Sequence, residues 1–495
     1  MSASAGPTLL RRARLLGRPG VWDLLVRGGR LAGLAPSGGL DDDERAGTEP
    51  VDLDGRVVLP GLWDQHTHLT QWALGRARLD VSGATSAAHA VALVRERLAR
   101  GVPAGGAPLV GQGFRDGLWP DEPTVALLDE AAGEVPVVLV SGDLHCAWAS
   151  SAGLRLLGVA PAGVPGLLRE DDWMPRMGLL DEGEAFGDAA VADGLAHVAT
   201  LGVVGVVDLE IADALTVWRR RTAAGPPPVR VRAGVWEQFL DRVLGEGLRT
   251  GDPLAPGVTQ GPFKVVTDGS LNTRTAFCHD PYPGTSDRGV LSVPPERLVP
   301  LMRRADAAGL ACAIHAIGDA ANGLALDAFA ATGARGSVEH AQLLTREDVG
   351  RFAALGVTAS VQPEHAMDDR DVADHHWAGR TDRAFPLAAL HAAGVRLALG
   401  SDAPVAPLDP WAAVDAAVRR TRDGREPWHP EQRLELDVAL GASVDGEPLA
   451  LRTGGPADLV VLDETPADRL ARVGTLRGTT AAATLVAGRW THRTW

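Results

Sequence analysis

The sequence predicts an α/β fold: a closed (β/α)8 barrel of the TIM type, a small β-sandwich formed by both chain termini, and a long insertion after the first barrel strand. Three observations carry the prediction. Strand-like apolar runs alternate with Ala/Leu/Arg-rich helical segments through the middle of the chain, the rhythm of a parallel sheet. Eight such runs can be placed, the number that closes a barrel. The two ends share another texture, short apolar alternations broken by glycine pairs, which reads as β-hairpins.

Taken in order, residues 1–58 hold Trp22-Asp-Leu-Leu-Val-Arg-Gly-Gly, Arg30-Leu-Ala-Gly-Leu-Ala-Pro and Val51-Asp-Leu-Asp-Gly-Arg-Val-Val. Residues 453–495 answer with Asp458-Leu-Val-Val-Leu-Asp and Ala483-Thr-Leu-Val-Ala-Gly-Arg-Trp, so the two ends combine into one sandwich. Asp41-Asp-Asp-Glu-Arg reads as a solvated turn. Residues 59–452 form the barrel, with strands over Leu62–His68, Val203–Leu209, Val229–Trp236, Phe263–Thr267, Leu310–His315, Ser337–His340, Val357–Gln362 and Val395–Ser401. Residues 70–200 are too long for one βα connection and read as an insertion or lid that takes the strand-like runs at Leu109–Gly111 and Val137–Ser141.

At 495 residues the chain is long enough for a large barrel with an appended module. Its net charge of −15 provides no basic footprint for nucleic acid or an anionic membrane surface, so the expected partner is a small-molecule substrate. Three scattered cysteines without a Cys-x-x-Cys argue against a disulfide framework and for a cytoplasmic home. Arg11-Arg12-Ala13-Arg14 is followed by no apolar stretch of signal-peptide length, and no run is long enough to span a membrane.

The chemistry begins at Leu59-Pro-Gly-Leu-Trp-Asp-Gln-His-Thr-His-Leu. At a strand end, alternation places His66 and His68 on one face, where two imidazoles can bind one metal ion. Alone, such a pair is equally a surface feature. Of the 48 basic residues only Lys264 is lysine, and arginine cannot replace lysine where a neutral amine is needed, which marks Lys264 for chemistry. His315 ends the fifth strand, His340 ends the sixth, and Asp402 follows the eighth. Each has an ordinary explanation singly, as a buried histidine or a helix cap. Jointly, six residues at the barrel mouth read as a metal site.

In order and spacing the chain resembles the amidohydrolase superfamily, within it the amidohydrolase-3 or YtcJ-like branch that includes N-substituted formamide deformylases. The motifs are the His66/His68 segment, Asp143-Leu-His-Cys-Ala-Trp-Ala-Ser-Ser, Phe263-Lys-Val-Val-Thr-Asp-Gly-Ser-Leu-Asn-Thr-Arg-Thr-Ala, Ile314-His-Ala-Ile-Gly-Asp, Val338-Glu-His-Ala-Gln and Leu399-Gly-Ser-Asp-Ala-Pro. The resemblance implies one or two divalent cations per chain, most commonly zinc. His66 and His68 would hold one and His315 and His340 the second, Lys264 would bridge them as a CO2-derived carbamate, and Asp402 would bind metal and act as base. It implies a hydrolase of non-peptide C–N bonds, with an amide or N-substituted formamide as substrate: a metal-activated hydroxide attacks the carbonyl, and Asp402 passes its proton to the leaving nitrogen. His145 corresponds to an insertion histidine expected at the substrate; with Asp402, His145 and Arg274 are the catalytic candidates, and Asp268, Arg274, Trp119 and Gln362 are further substrate-binding candidates. Tryptophans 72, 119, 148 and 173 of the insertion are expected mainly to fill its own core. A homodimer is a family habit.

Hydrolysis of lactone C–O or phosphotriester P–O bonds is open to the same site, and two other functions compete. A mononuclear deaminase of heterocycles would lack the bridging lysine, against which Lys264 speaks. A catalytically inactive binding or assembly barrel would be expected to have lost ligands, and none of the six is missing. One departure is the irregular stretch from Leu434 to Arg452, which leaves the closing helix in question and puts helix 8 at Pro410–Arg422.

Overall fold

The computed structural model describes residues 6–76, 78–103, 107–161, 166–180 and 184–495. Eight parallel strands occupy the predicted places: barrel strand 1 (Leu62–Thr67), 2 (Val203–Asp208), 3 (Arg230–Trp236), 4 (Val258–Val266), 5 (Cys312–Ala316), 6 (Gly336–His340), 7 (Thr358–Val361) and 8 (Leu397–Leu399). They pair in sequence order from 1 to 8, with a short antiparallel strand, Pro253–Ala255, beside the fourth. Closure between strands 8 and 1 runs just beyond them: Asp402 N donates to His66 O at 2.7 Å and His68 N to Ala403 O at 2.8 Å. Gly400 permits this approach, since a Cβ there would lie 2.7 Å from His66 N.

Both termini enter one eight-stranded sheet, in which Val57–Pro60 pairs antiparallel with Leu459–Leu462 and parallel with the end of Thr8–Leu15. Leu10, Leu24, Val58, Leu459 and Leu485 build its own core. The glycine-pair reading holds at Gly28-Gly29, both at positive φ, in a two-residue hairpin between Arg18–Arg27 and Arg30–Pro36. The acidic run is not an open turn: Asp41 and Glu44 close a capping box around the single helical turn Asp42–Arg45.

The insertion carries a separate five-stranded sheet in which Leu109–Phe114 and Val137–Ser141 are parallel neighbours joined through helix Val125–Ala132. Its last helix, Glu184–Ala199, belongs to the barrel, because Val191, Leu195 and Val198 join the barrel core. Helix Pro410–Arg419 follows strand 8. The irregular stretch supplies the missing closure: Leu436–Gly441 puts Ala439 and Leu440 into the same core, and Ser443 O accepts from Trp63 N at the barrel floor. Among the described residues no helix is long and apolar enough to cross a membrane.

Candidate active site

The sequence-predicted ligands converge on one cavity at the C-terminal mouth of the barrel, lined by His66, His68, Lys264, His315, His340 and Asp402. Alternation along strand 1 turns both of its histidines inward. The intervening Thr67 donates to Val207 O instead. His66 Nδ1–H donates to Glu339 Oε2 at 2.6 Å, which leaves Nε2 with its lone pair facing the cavity. That Nε2 lies 3.3 Å from Asp402 Oδ1, and His68 Nε2 lies 3.2 Å from the same oxygen. Lys264 Nζ is 3.5 Å from His66 Nε2.

Strands 5 and 6 complete the ring. The imidazoles of His315 and His340 meet edge-on with centroids 4.5 Å apart. His340 Nδ1–H donates to Gln362 Oε1 at 2.9 Å, so its Nε2 is also left as a lone pair. His315 faces Gly269 O with Nε2 at 3.4 Å. Two of the site residues sit at positive φ, His340 at 73° and Asp402 at 58°. A left-handed backbone on non-glycine residues costs energy and persists where the surroundings impose it, as functional sites do.

Burial sets the charge states. It is the main cause that lowers His66, and it holds His340 and His315 well below the ordinary imidazole range, which favours their neutral forms. Burial alone would raise the Asp402 carboxyl, but the neighbouring His66, His68 and His340 outweigh it and hold the group well below the carboxylate range. Burial also lowers the Lys264 ammonium against the pull of Glu339 and Asp402.

These groups fit a cation. A neutral imidazole nitrogen and an ionised carboxylate oxygen facing at 3.3 Å present lone pair to lone pair, which a metal between them resolves. Two buried imidazole nitrogens, His68 Nδ1 and His365 Nε2, have no hydrogen-bond partner. Donor atoms of His66, His68 and Asp402 lie within 4.8 Å of one another, as do those of His340, His365 and Asp402. Imidazole and carboxylate suit zinc and its first-row neighbours.

His365 is the residue that sequence reading missed. It stands in the first turn of helix Pro363–His376, four residues past the end of strand 7. The available signal was positional: Gln362-Pro-Glu-His365 leaves a strand at the mouth, where the other ligands lie.

Several substrate-binding expectations are corrected. Trp119 does not line the cavity; its indole packs on Phe114 and Trp148 in the lid core and donates to Ala84 O. Asp268 is fully buried and accepts from the backbone N–H groups of Phe277, Ile317 and Gly318, so it shapes the loop. Burial, the largest cause, pushes its carboxyl up to about 7. Arg274 is exposed and lies outside the cavity lining. Gln362 holds His340 and does not line the cavity.

His145 does line it, on the lid side. Its Nδ1 pairs with Glu170 Oε2 at 2.9 Å. Glu170 Oε1 in turn accepts from Thr273 and Thr275 of the loop after strand 4, and Ser270 of that loop donates to Asp143. Burial alone would lower His145, but Glu170 and Asp143 outweigh it and push the imidazole up to about 9.

Buried imidazoles gathered on a carboxylate at the mouth of a parallel barrel define a metal-dependent hydrolase. Residues 49–492 match the profile of the amidohydrolase family, and the chain belongs to that family. It is 29% identical over 497 residues to the protein LONG AFTER FAR-RED 3 of Arabidopsis thaliana, covering 91% of this chain and 85% of that one. It is 27% identical over 495 residues to the N-substituted formamide deformylase of Arthrobacter pascens, covering 90% of each. The crystal structure of an uncharacterized metal-dependent hydrolase from Pyrococcus horikoshii superposes with a TM-score of 0.78 at 27% identity, covering 93% of this chain and 98% of that one. The protein is therefore a metal-dependent hydrolase acting on carbon–nitrogen bonds other than peptide bonds.

Proposed function

We propose that the protein cleaves the C–N bond of a small amide or N-substituted formamide, with Asp402 moving the proton. The placement of Asp402 carries the reading: one oxygen faces His66 and His68, and the other faces His365. His66, His68 and Asp402 would hold a divalent cation, which would supply an activated water and a polarised carbonyl. Asp402, held ionised, accepts the proton as the water adds and delivers it to the nitrogen, so the amine departs neutral. His145, charged through Glu170, faces the cavity from the lid and orients the carbonyl oxygen. Leu144, Met174, Met177, Leu271 and Ile317 give the cavity an apolar wall suited to an N-substituent.

Lys264 supports a two-cation form of the site. It is 2% exposed, and burial lowers its ammonium towards the neutral amine, the form that adds CO2 with release of a proton to give an anionic carbamate. The same lysine weighs against the one-metal deaminase. The three buried free cysteines fit a reducing cytoplasm.

Elemental analysis of protein prepared without chelators in bicarbonate buffer tests this reading. About two zinc-like ions per chain, with a clear loss in Lys264→Ala, is the expected result. A single ion unchanged by the substitution removes the bridge.

A further inference from the structure

The family resemblance pairs His340 with His315 for the second cation and leaves the segment after strand 7 without a metal role. The side chains there point elsewhere. His365 is 6% exposed, and its Nε2 is buried without any hydrogen-bond partner. A buried imidazole nitrogen left unpaired beside a carboxylate, as His68 Nδ1 is left in the same site, calls for a missing ligand. The nitrogen faces Asp402 Oδ2 at 4.0 Å, while the other oxygen of that carboxylate is engaged with His66 and His68. The His365 ring lies nearly parallel to that of His340, at 16° and 6.0 Å between centroids.

The position is rigid. Glu364, the preceding residue, is clamped by Arg422 at 2.7 Å and by both terminal nitrogens of Arg477 at 2.9 and 2.5 Å. Ala366 and Met367, which follow, are buried. One short segment thus does two jobs: Gln362 fixes the tautomer of His340, and His365, three residues on, presents a second lone pair. Two imidazoles and a carboxylate whose donor atoms lie within 4.8 Å of one another form a three-ligand site with open positions, the composition of a catalytic divalent cation site.

We propose that His365, with His340 and Asp402, ligates the second divalent cation. This makes Asp402 the shared carboxylate of two histidine pairs, His66 with His68 and His340 with His365. The inference rests on the metal-dependent reading above, and the experiment separates the two.

Full-length protein and His365→Ala are loaded with cobalt(II) in bicarbonate buffer and desalted. Cobalt per chain and the visible d–d spectrum are then measured, with circular dichroism to check the fold. The expected result is one cobalt fewer per chain in the variant, with loss of part of the visible absorption. Cobalt content and spectrum equal to wild type overturn the inference and leave the metal-hydrolase reading standing. Failure of the wild type to hold any divalent cation overturns both. If the variant does not fold, crystals of zinc-loaded wild type decide: zinc anomalous density within bonding distance of His365 Nε2 supports the inference, and zinc density away from that nitrogen overturns it.

Discussion

Asp402 and its neighbours show how single residues were made ready for chemistry. Asp402 holds a left-handed backbone at φ 58°, and His66 and His68 meet one oxygen of its carboxylate. Glu339 works one layer further out, and its hydrogen bond to His66 Nδ1 selects the tautomer that can bind a cation. Glu339→Gln is expected to weaken cation affinity by about 10- to 100-fold while the fold persists. Titration with a competing chelator measures this, and unchanged affinity would remove Glu339 from the account. His145 supplies the pH signature. Its imidazole is pushed up to about 9 in the folded protein, so its pairing with Glu170 contributes stability fully below the ordinary value of about 6.5 and loses it as pH rises through about 9. Urea midpoints from about pH 6 to about pH 9.5 should fall in wild type and change less in Glu170→Gln; parallel curves would contradict the pairing. Lys264, the two strand-1 histidines, His315, His340 and Asp402 were legible in the sequence because a strand end fixes which side chains share a face. Asp268, Arg274, Trp119 and Gln362 were misread because motif order locates a loop without saying which of its side chains point inward.

At the scale of elements, the barrel seam between strands 8 and 1 places the site. Gly400 sits at that seam, and a Cβ there would lie 2.7 Å from His66 N and 2.9 Å from His66 Cβ. Gly400→Ala is expected to cost about 1–3 kcal/mol of stability by forcing the strands apart, and to lower cation content as His66 moves. Denaturation midpoints and elemental analysis check this together; a variant with wild-type values for both would show that the seam tolerates the displacement. All eight barrel strands were readable from apolar runs followed by helical segments. Their exact ends were not, since hydrogen bonding past the strand limits, such as His68 N to Ala403 O, follows from closure. The closing helix Leu436–Gly441 was obscured for a related reason: its six residues are too few to carry a helical period, and only packing against the barrel reveals it.

Over the whole molecule, the lid shares the cavity with the barrel and joins the barrel core at its two ends, through Trp72, which does not fill the lid's own core, and through Val191, Leu195 and Val198. The lid keeps its own clusters around Trp148 and Trp173. It reaches the cavity through polar ties: Asp143 to Ser270, Glu170 to Thr273 and Thr275, and Arg115 to Asp368 and Asp369. A lid held by hydrogen bonds and ion pairs can change its cavity wall while the metal ligands below stay fixed, which is why barrel chemistry was legible in the sequence and substrate shape was not. The terminal sheet is joined to the barrel by Arg230, which makes two bonds to Asp458 at 2.6 and 3.1 Å.

The central claim is hydrolysis of a non-peptide C–N bond by a cation site with Asp402 as its proton carrier. Amine release from a panel of N-alkyl and N-aryl formamides and amides, followed with cation-loaded protein, chelated protein and Asp402→Asn, tests it most directly. Turnover that disappears on chelation, returns with added cation and falls by about 10²- to 10⁴-fold in Asp402→Asn is the expected result. Turnover unaffected by either chelation or the substitution, or no amine released from any member of the panel by fully loaded protein, would contradict it.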